Sequence, residues 1–127
     1  MNAAHPFLLV ALGGALGSLA RYGMAAGVNR WAQSAFPWGT LFVNIAGSFL
    51  IGLLMVLLMK TGAWRESGRL LLVTGVMGGF TTFSSFSWET WKLIEAGRLP
   101  LAAANVLISV AVCLLATSAG AWLAKQF

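Results

Sequence analysis

The stretch Val73-Thr74-Gly75-Val76-Met77-Gly78-Gly79-Phe80-Thr81-Thr82-Phe83-Ser84-Ser85-Phe86-Ser87-Trp88-Glu89 decides how this chain folds. It is apolar enough to lie in lipid, yet it is poor material for an unbroken helix. Gly78-Gly79 falls near the middle of the surrounding apolar run, and glycine is among the weakest helix formers. Five hydroxyl residues then follow between positions 81 and 87: Thr81, Thr82, Ser84, Ser85 and Ser87. Hydroxyls at this density satisfy backbone groups that a break in a membrane helix sets free. Such breaks commonly line cavities and ion sites, because the freed carbonyls and N–H groups can face an ion. The stretch is read as a third helix broken in mid-membrane. A continuous helix kinked at the glycines, with serines bonded back to its own carbonyls, is the competing arrangement. Phe80, Phe83 and Phe86 recur every third residue through the cluster. That spacing ordinarily means packing, but a phenyl ring also has a positive edge. An edge turned into a narrow pore contacts an anion without the charge that traps it.

The rest of the chain agrees with a membrane setting. Hydrophobic residues make up 59% of it and charged residues 9%, and its mean hydropathy is +0.85. A soluble domain carries about a quarter charged residues, so this chain lacks the charge to cover its surface in water. The net charge of +5 does not point to nucleic acid. The basic residues are scattered singly, mostly between apolar runs, where membrane proteins keep them. The single cysteine, Cys113, lies in an apolar run and reads as a core thiol.

Four apolar stretches come near the ~20 residues that a bilayer-crossing helix needs. They run over about 7–28, 38–59, 70–94 and 101–123, and 1–127 reads as one all-α, four-helix transmembrane unit. Pro6, Pro37 and Pro100 each stand just before a stretch, and proline suits the first turn of a helix. Trp31, Trp38, Trp64, Trp88, Trp91 and Trp122 fall near the expected ends, where indole sits at headgroup level. No basic residue precedes the first apolar run, so that run lacks the opening of a cleavable signal peptide and is expected to remain.

Orientation is balanced. One side of a four-span arrangement carries Lys60, Arg65, Arg69 and Lys125; the other carries Arg21, Arg30, Lys92 and Arg98. Four against four fixes no single orientation by the positive-inside rule. Insertion both ways, and hence an antiparallel homodimer, is one reading; a single orientation set by weaker signals is the other. Gly13 and Gly17 form a small-xxx-small pair for close helix contact, and Gly47 with Ser48 does similar work.

Other polar groups are embedded in the spans. Thr40, Asn44 and Ser48 stand at successive i+4 positions, as do Asn105 and Ser109, so each set lies on one helix face. These faces can turn to a common pathway or bond between helices. Spans one, two and four hold no carboxylate, and Glu89 is the one acidic candidate in the third. Cation channels favour acidic rings, so the balance leans toward an anion. Glu89 is placed to pair with Arg21 or Lys92, and Arg21 either snorkels or collects anions in a vestibule. His5 is the lone histidine, and no metal-ligand spacing or nucleophile–base set is present, so an enzyme is not expected.

With these residues the chain resembles the bacterial fluoride channels, the Fluc or CrcB family. The resemblance rests on Gly13-Gly14, Gly17 and Arg21-Tyr22, on Gly39-Thr40-Leu41, Asn44 and Gly47-Ser48-Phe49, and above all on Gly78 to Ser87. It implies an antiparallel, dual-topology homodimer in the bacterial inner membrane, with two narrow fluoride pores at the subunit interface. The family's pore residues match Asn44, Phe83, Phe86, Ser84 and Ser87, with Thr40 and Ser109 as additions. The resemblance also implies a structural sodium ion at the dimer centre, held by carbonyls matching Gly78 and Thr81. The expected partners are fluoride, a second copy and lipid, with passive fluoride export and no energy source. The alternative is a small dual-topology multidrug or cation exporter. That chemistry needs an embedded carboxylate for proton exchange, and the first span has none.

Overall fold

The computed structural model describes residues 4–62 and 65–127. Among them the regular elements are all helical: α1 (Ala4–Ala32), α2 (Trp38–Lys60), α3 (Arg65–Gly68), a wide π-helical segment (Arg69–Met77), α4 (Gly78–Phe80), α5 (Phe83–Glu95) and α6 (Leu99–Ala124). Four helical runs are long and apolar enough to cross a membrane: His5–Ala32, Trp38–Lys60, Glu66–Glu95 and Leu99–Ala124. The four expected stretches are all present and extend slightly further at most ends. Pro37 immediately precedes α2 and Pro100 lies in the first turn of α6. Pro6 lies in the first turn of α1. Trp64 lies outside the described residues.

Few side chains of α1 are buried. Phe7, Leu8, Leu12, Leu16 and Leu19 all face outward, an arrangement that water would penalise and lipid does not. What α1 contributes instead is its backbone. A side chain at Gly13 would meet the Leu71 carbonyl and the Gly75 Cα, and one at Gly17 would meet the Val76 carbonyl. Gly79 lies equally close to the Gly14 carbonyl. Glycines on both partners thus bring α1 and the first half of the third span into backbone contact. Gly52 and Gly120 do the same for α2 and α6, each lying against the other helix's backbone. At the far end of that pair Lys60 Nζ donates to the Ala124 carbonyl at 2.9 Å, satisfying one of the carbonyls a helix end leaves free. The buried core is small: Val43, Met77 and Phe80, with Ala25, Ala46, Ile51, Leu54 and Val76 packed against it.

The third span is interrupted, but not at its glycine pair. Gly78 stays helical, at φ −62° and ψ −37°. The chain becomes extended at Thr81 (φ −79°, ψ 154°) and Thr82 (φ −149°, ψ 110°) before α5 begins at Phe83. The glycine pair is not the hinge because Gly79 serves the close approach to α1. The interruption falls where a polar side chain from α2 captures the backbone.

Candidate site at the interrupted helix

Asn44 fixes the interruption. Its Oδ1 accepts from the Thr82 N–H at 2.8 Å, and its Nδ2 donates to the Thr82 carbonyl at 3.1 Å. One side-chain amide thereby pairs with both polar groups of one extended residue, as a neighbouring strand would. Thr82 itself is buried, and its Oγ1 accepts from the Ser85 N–H at 3.2 Å. That bond is an N-cap, which supplies an acceptor to an orphan donor of the new helix.

Both captures have a consequence one turn back. In an unbroken helix Thr82 N–H would bond the Gly78 carbonyl and Ser85 N–H the Thr81 carbonyl. Here the first donor goes to Asn44 and the second to the Thr82 hydroxyl. The carbonyls of Gly78 and Thr81 therefore lose their helical donors. These are neutral oxygen ligands of the kind a hard monovalent cation takes. No cluster of three or more His, Cys, Asp or Glu exists among the described residues, so a cation at this point would rest on such carbonyls.

Two recesses flank the interruption. The first, of about 400 Å³, is lined by Asn44, Ser48, Thr81, Thr82, Phe83, Phe86 and Ser109, together with apolar residues of α2 and α6. Its volume is many times the ≈30 Å³ share of one water, so one protomer alone does not enclose a small ion. Phe83 and Phe86 lie with ring centroids 5.3 Å apart, tilted by 49°. Phe83 is 77% exposed, whereas Phe80 is 6% exposed and belongs to the core. The regular three-residue spacing of the phenylalanines thus hides two different environments.

The second recess, of about 390 Å³, is more polar. Ser18, Arg21, Tyr22, Asn29, Thr40, Ser85 and Glu89 line it, and Thr82 faces both recesses. Thr40 Oγ1 donates to Glu89 Oε1 at 2.8 Å, while Glu89 Oε2 has no hydrogen-bond partner among the described residues. The expected pairing of Glu89 with Arg21 or Lys92 does not form. Among the described residues the ion pair is Arg69 with Glu66 at 3.1 Å. A hydroxyl one turn inside the second span reaches the carboxylate instead.

The residues singled out from the sequence therefore separate. Asn44, Phe83, Phe86 and Ser109 share the first recess; Arg21, Thr40 and Glu89 share the second. Ser84 and Ser87 line neither. Ser84 Oγ lies 3.3 Å from Thr82 Oγ1, and Ser87 Oγ bonds back to the Phe83 carbonyl at 3.0 Å. Thr82 is the residue that sequence reasoning undervalued. The Thr82-x-x-Ser85 spacing ahead of a helical run was the available cue, since threonine is a favoured N-cap. Asn29 was also missed: its Oδ1 accepts from the Gly39 N–H at 2.9 Å and braces the start of α2.

Together these elements define a multi-pass membrane protein with four spans, the third interrupted and held by a polar strap from the second. The sequence pattern of the family described as CrcB-like protein, Camphor Resistance (CrcB), matches residues 8–121. The chain belongs to that family. It is 52% identical over 119 residues to the fluoride-specific ion channel FluC of Geobacter sulfurreducens, covering 94% of this chain and 96% of that one. It is 57% identical over 93 residues to a protein of the same name from Thermus thermophilus, covering 73% and 72%. The Agrobacterium fabrum protein of that name is 51% identical over 118 residues, covering 93% and 94%.

Proposed function

We propose that this protein is a fluoride channel of the bacterial inner membrane, passing fluoride passively out of the cell through pores between two antiparallel copies. The observation that carries the reading is the recess beside the interrupted helix. There the edge-bearing rings of Phe83 and Phe86 stand next to the Asn44 amide and the Ser109 hydroxyl, without a charged side chain. Fluoride is small and tightly hydrated, so its pathway must replace water with weak donors that let it leave again. Amide N–H and ring edges are donors of that kind. One of the two Asn44 amide hydrogens is committed to Thr82, and the other is the donor available to an anion. Relatives named fluoride-specific ion channels, similar over nearly the whole chain, support the same reading.

A second copy is part of this proposal. Phe83 is largely exposed and the recess is open on one side, so closure around an ion calls for another surface. An antiparallel partner agrees with the even division of basic residues. The carbonyls of Gly78 and Thr81, doubled by two-fold symmetry, form a four-oxygen set for a structural sodium ion at the dimer centre. The sodium would supply charge to fix the two interrupted helices against each other. Arg21 and Glu89 then line a vestibule leading to the interruption.

The purified protein in liposomes loaded with fluoride is expected to release it rapidly once a potassium ionophore balances charge. A fluoride-selective electrode reads the release. Absence of fluoride flux, or electrogenic cation flux in its place, sinks the proposal. Dual topology has its own test. Adding lysines to one set of loops is expected to orient every copy alike and to abolish flux, and co-expression with the oppositely biased variant is expected to restore it. Full activity of either biased variant alone would exclude the antiparallel pair.

A further inference from the structure

Asn105 on α6 is 1% exposed, and its burial is matched by a hydrogen-bonded chain whose direction can be worked out atom by atom. Thr90 Oγ1 lies 2.7 Å from the Phe86 carbonyl. A carbonyl only accepts, so the single Thr90 proton is committed there. The Asn105 atom 2.9 Å from Thr90 Oγ1 must then be the donor, Nδ2. That choice turns Oδ1 toward Ser109, whose Oγ lies 3.3 Å away. The oxygen accepts, so the Ser109 proton points at Asn105. Ser109 also lines the recess with Phe83, Phe86 and Asn44. It therefore presents lone pairs to an approaching anion and keeps its proton behind it.

We infer that Asn105 is a positioning residue that sets anion specificity, by engaging the Ser109 proton so that only an anion stronger than an amide carbonyl as acceptor draws it into the recess. Fluoride, with its high charge density, is such an acceptor. Chloride is a much weaker one and meets the lone pairs of the Ser109 oxygen. Because the Ser109–Asn105 bond is long, at 3.3 Å, it is weak enough for fluoride to displace. The inference rests on reading the Phe83–Phe86 recess as the fluoride path.

The test measures fluoride flux in liposomes against fluoride concentration, with and without excess chloride. Asn105→Leu removes the side-chain acceptor and leaves only the backbone carbonyl one turn back to compete with the anion for the Ser109 proton. Its half-saturating fluoride concentration is expected to fall about fivefold, the factor that one exchanged hydrogen bond supplies, and chloride is expected to begin to inhibit. Asn105→Ala removes the same acceptor with less bulk and is expected to move half-saturation in the same direction. In a Ser109→Ala background neither substitution has a proton to act on, so both shifts should vanish. Thr90→Val removes the acceptor that fixes the Asn105 amide orientation and should move half-saturation part of the way toward the Asn105→Leu value. A merely structural role for Asn105 would lower the amount of folded dimer without moving half-saturation. The inference is overturned if neither Asn105→Leu nor Asn105→Ala moves half-saturation, or if a shift persists without Ser109. The Ala variant decides the matter if the Leu variant does not fold, and Ser109→Cys, a weaker donor that should shrink the shift, replaces Ser109→Ala as the background if the latter is silent. If Phe83→Ile conducts like the parent protein, the path itself has been misread. If Phe83→Ile collapses flux while the Asn105 variants keep their half-saturation, the path stands and this inference fails.

Discussion

The two halves of the third span are made from different residues, aliphatic and glycine-rich before the interruption, aromatic and hydroxyl-rich after it, and are used in opposite ways. Before the interruption, Arg69–Phe80 presses its backbone against α1 through Gly75 and Gly79 and buries Met77 and Phe80. After it, Phe83–Glu95 buries Leu93 alone and leaves Phe83 and Trp88 open. The first half is packing; the second is surface prepared for something else. Three residues of sequence separate a core phenylalanine from an exposed one. The extended pair Thr81–Thr82 causes that change, because it rotates everything downstream onto a new face.

Conduction is where the two halves should differ most. Phe83→Ile and Phe86→Ile are expected to cut fluoride flux per folded dimer by at least about tenfold, since a branched alkyl group has no positive edge. Phe80→Ile is expected to conduct normally per folded dimer while losing about 1–3 kcal/mol of stability, as a shape-changing core swap does. Flux by fluoride electrode and dimer yield by gel filtration separate the two effects. Equal flux losses at all three positions, tracking dimer yield, would erase the comparison.

A loss of stability, rather than of flux alone, should appear at the joint between the halves. Asn44→Leu leaves the Thr82 N–H and carbonyl without their partner, and each unpaired buried group costs about 1–3 kcal/mol. The variant is expected to melt earlier, and the amide protons around Thr82 are expected to exchange faster. Unchanged exchange there would mean that the strap is incidental. Smallest of all, Ser87→Ala should alter stability by no more than about 0.5 kcal/mol and leave flux near that of the parent protein. Its hydroxyl only bonds back to its own helix. A large flux loss in Ser87→Ala would bring the outer face of α5 into the pathway and redraw the boundary of the site.

Much of this was legible from composition and punctuation. Pro37 and Pro100 mark helix starts, and the Gly13–Gly17 pair does pack against another span. The interruption was legible as a property of the Gly78–Ser87 stretch, but its position was not. The deciding contact joins Asn44 to Thr82 across 38 residues, and no local propensity encodes it. The π-helical Arg69–Met77 was likewise invisible, because nothing in its mostly apolar run, with Arg69, Thr74 and one glycine, departs from an ordinary helix. At the site, Asn44, Phe83, Phe86 and Ser109 were singled out and do gather in one recess. Thr40 went to the other recess, where the Glu89 carboxyl accepts from its hydroxyl, a pairing across 49 residues that helix periodicity cannot show.

Lys60 lives two lives, separated in time. While the chain is being made, an inserting machinery sees it as one of eight basic residues that vote on orientation. Once α6 has arrived, the same ammonium, on a residue that stays exposed, holds the Ala124 carbonyl. Removing Lys60 therefore disturbs an early decision and a late fastening together, and a phenotype would not say which. Orientation is better altered by adding charge at Gly62, where a new side chain meets nothing nearby, than by subtracting it at Lys60.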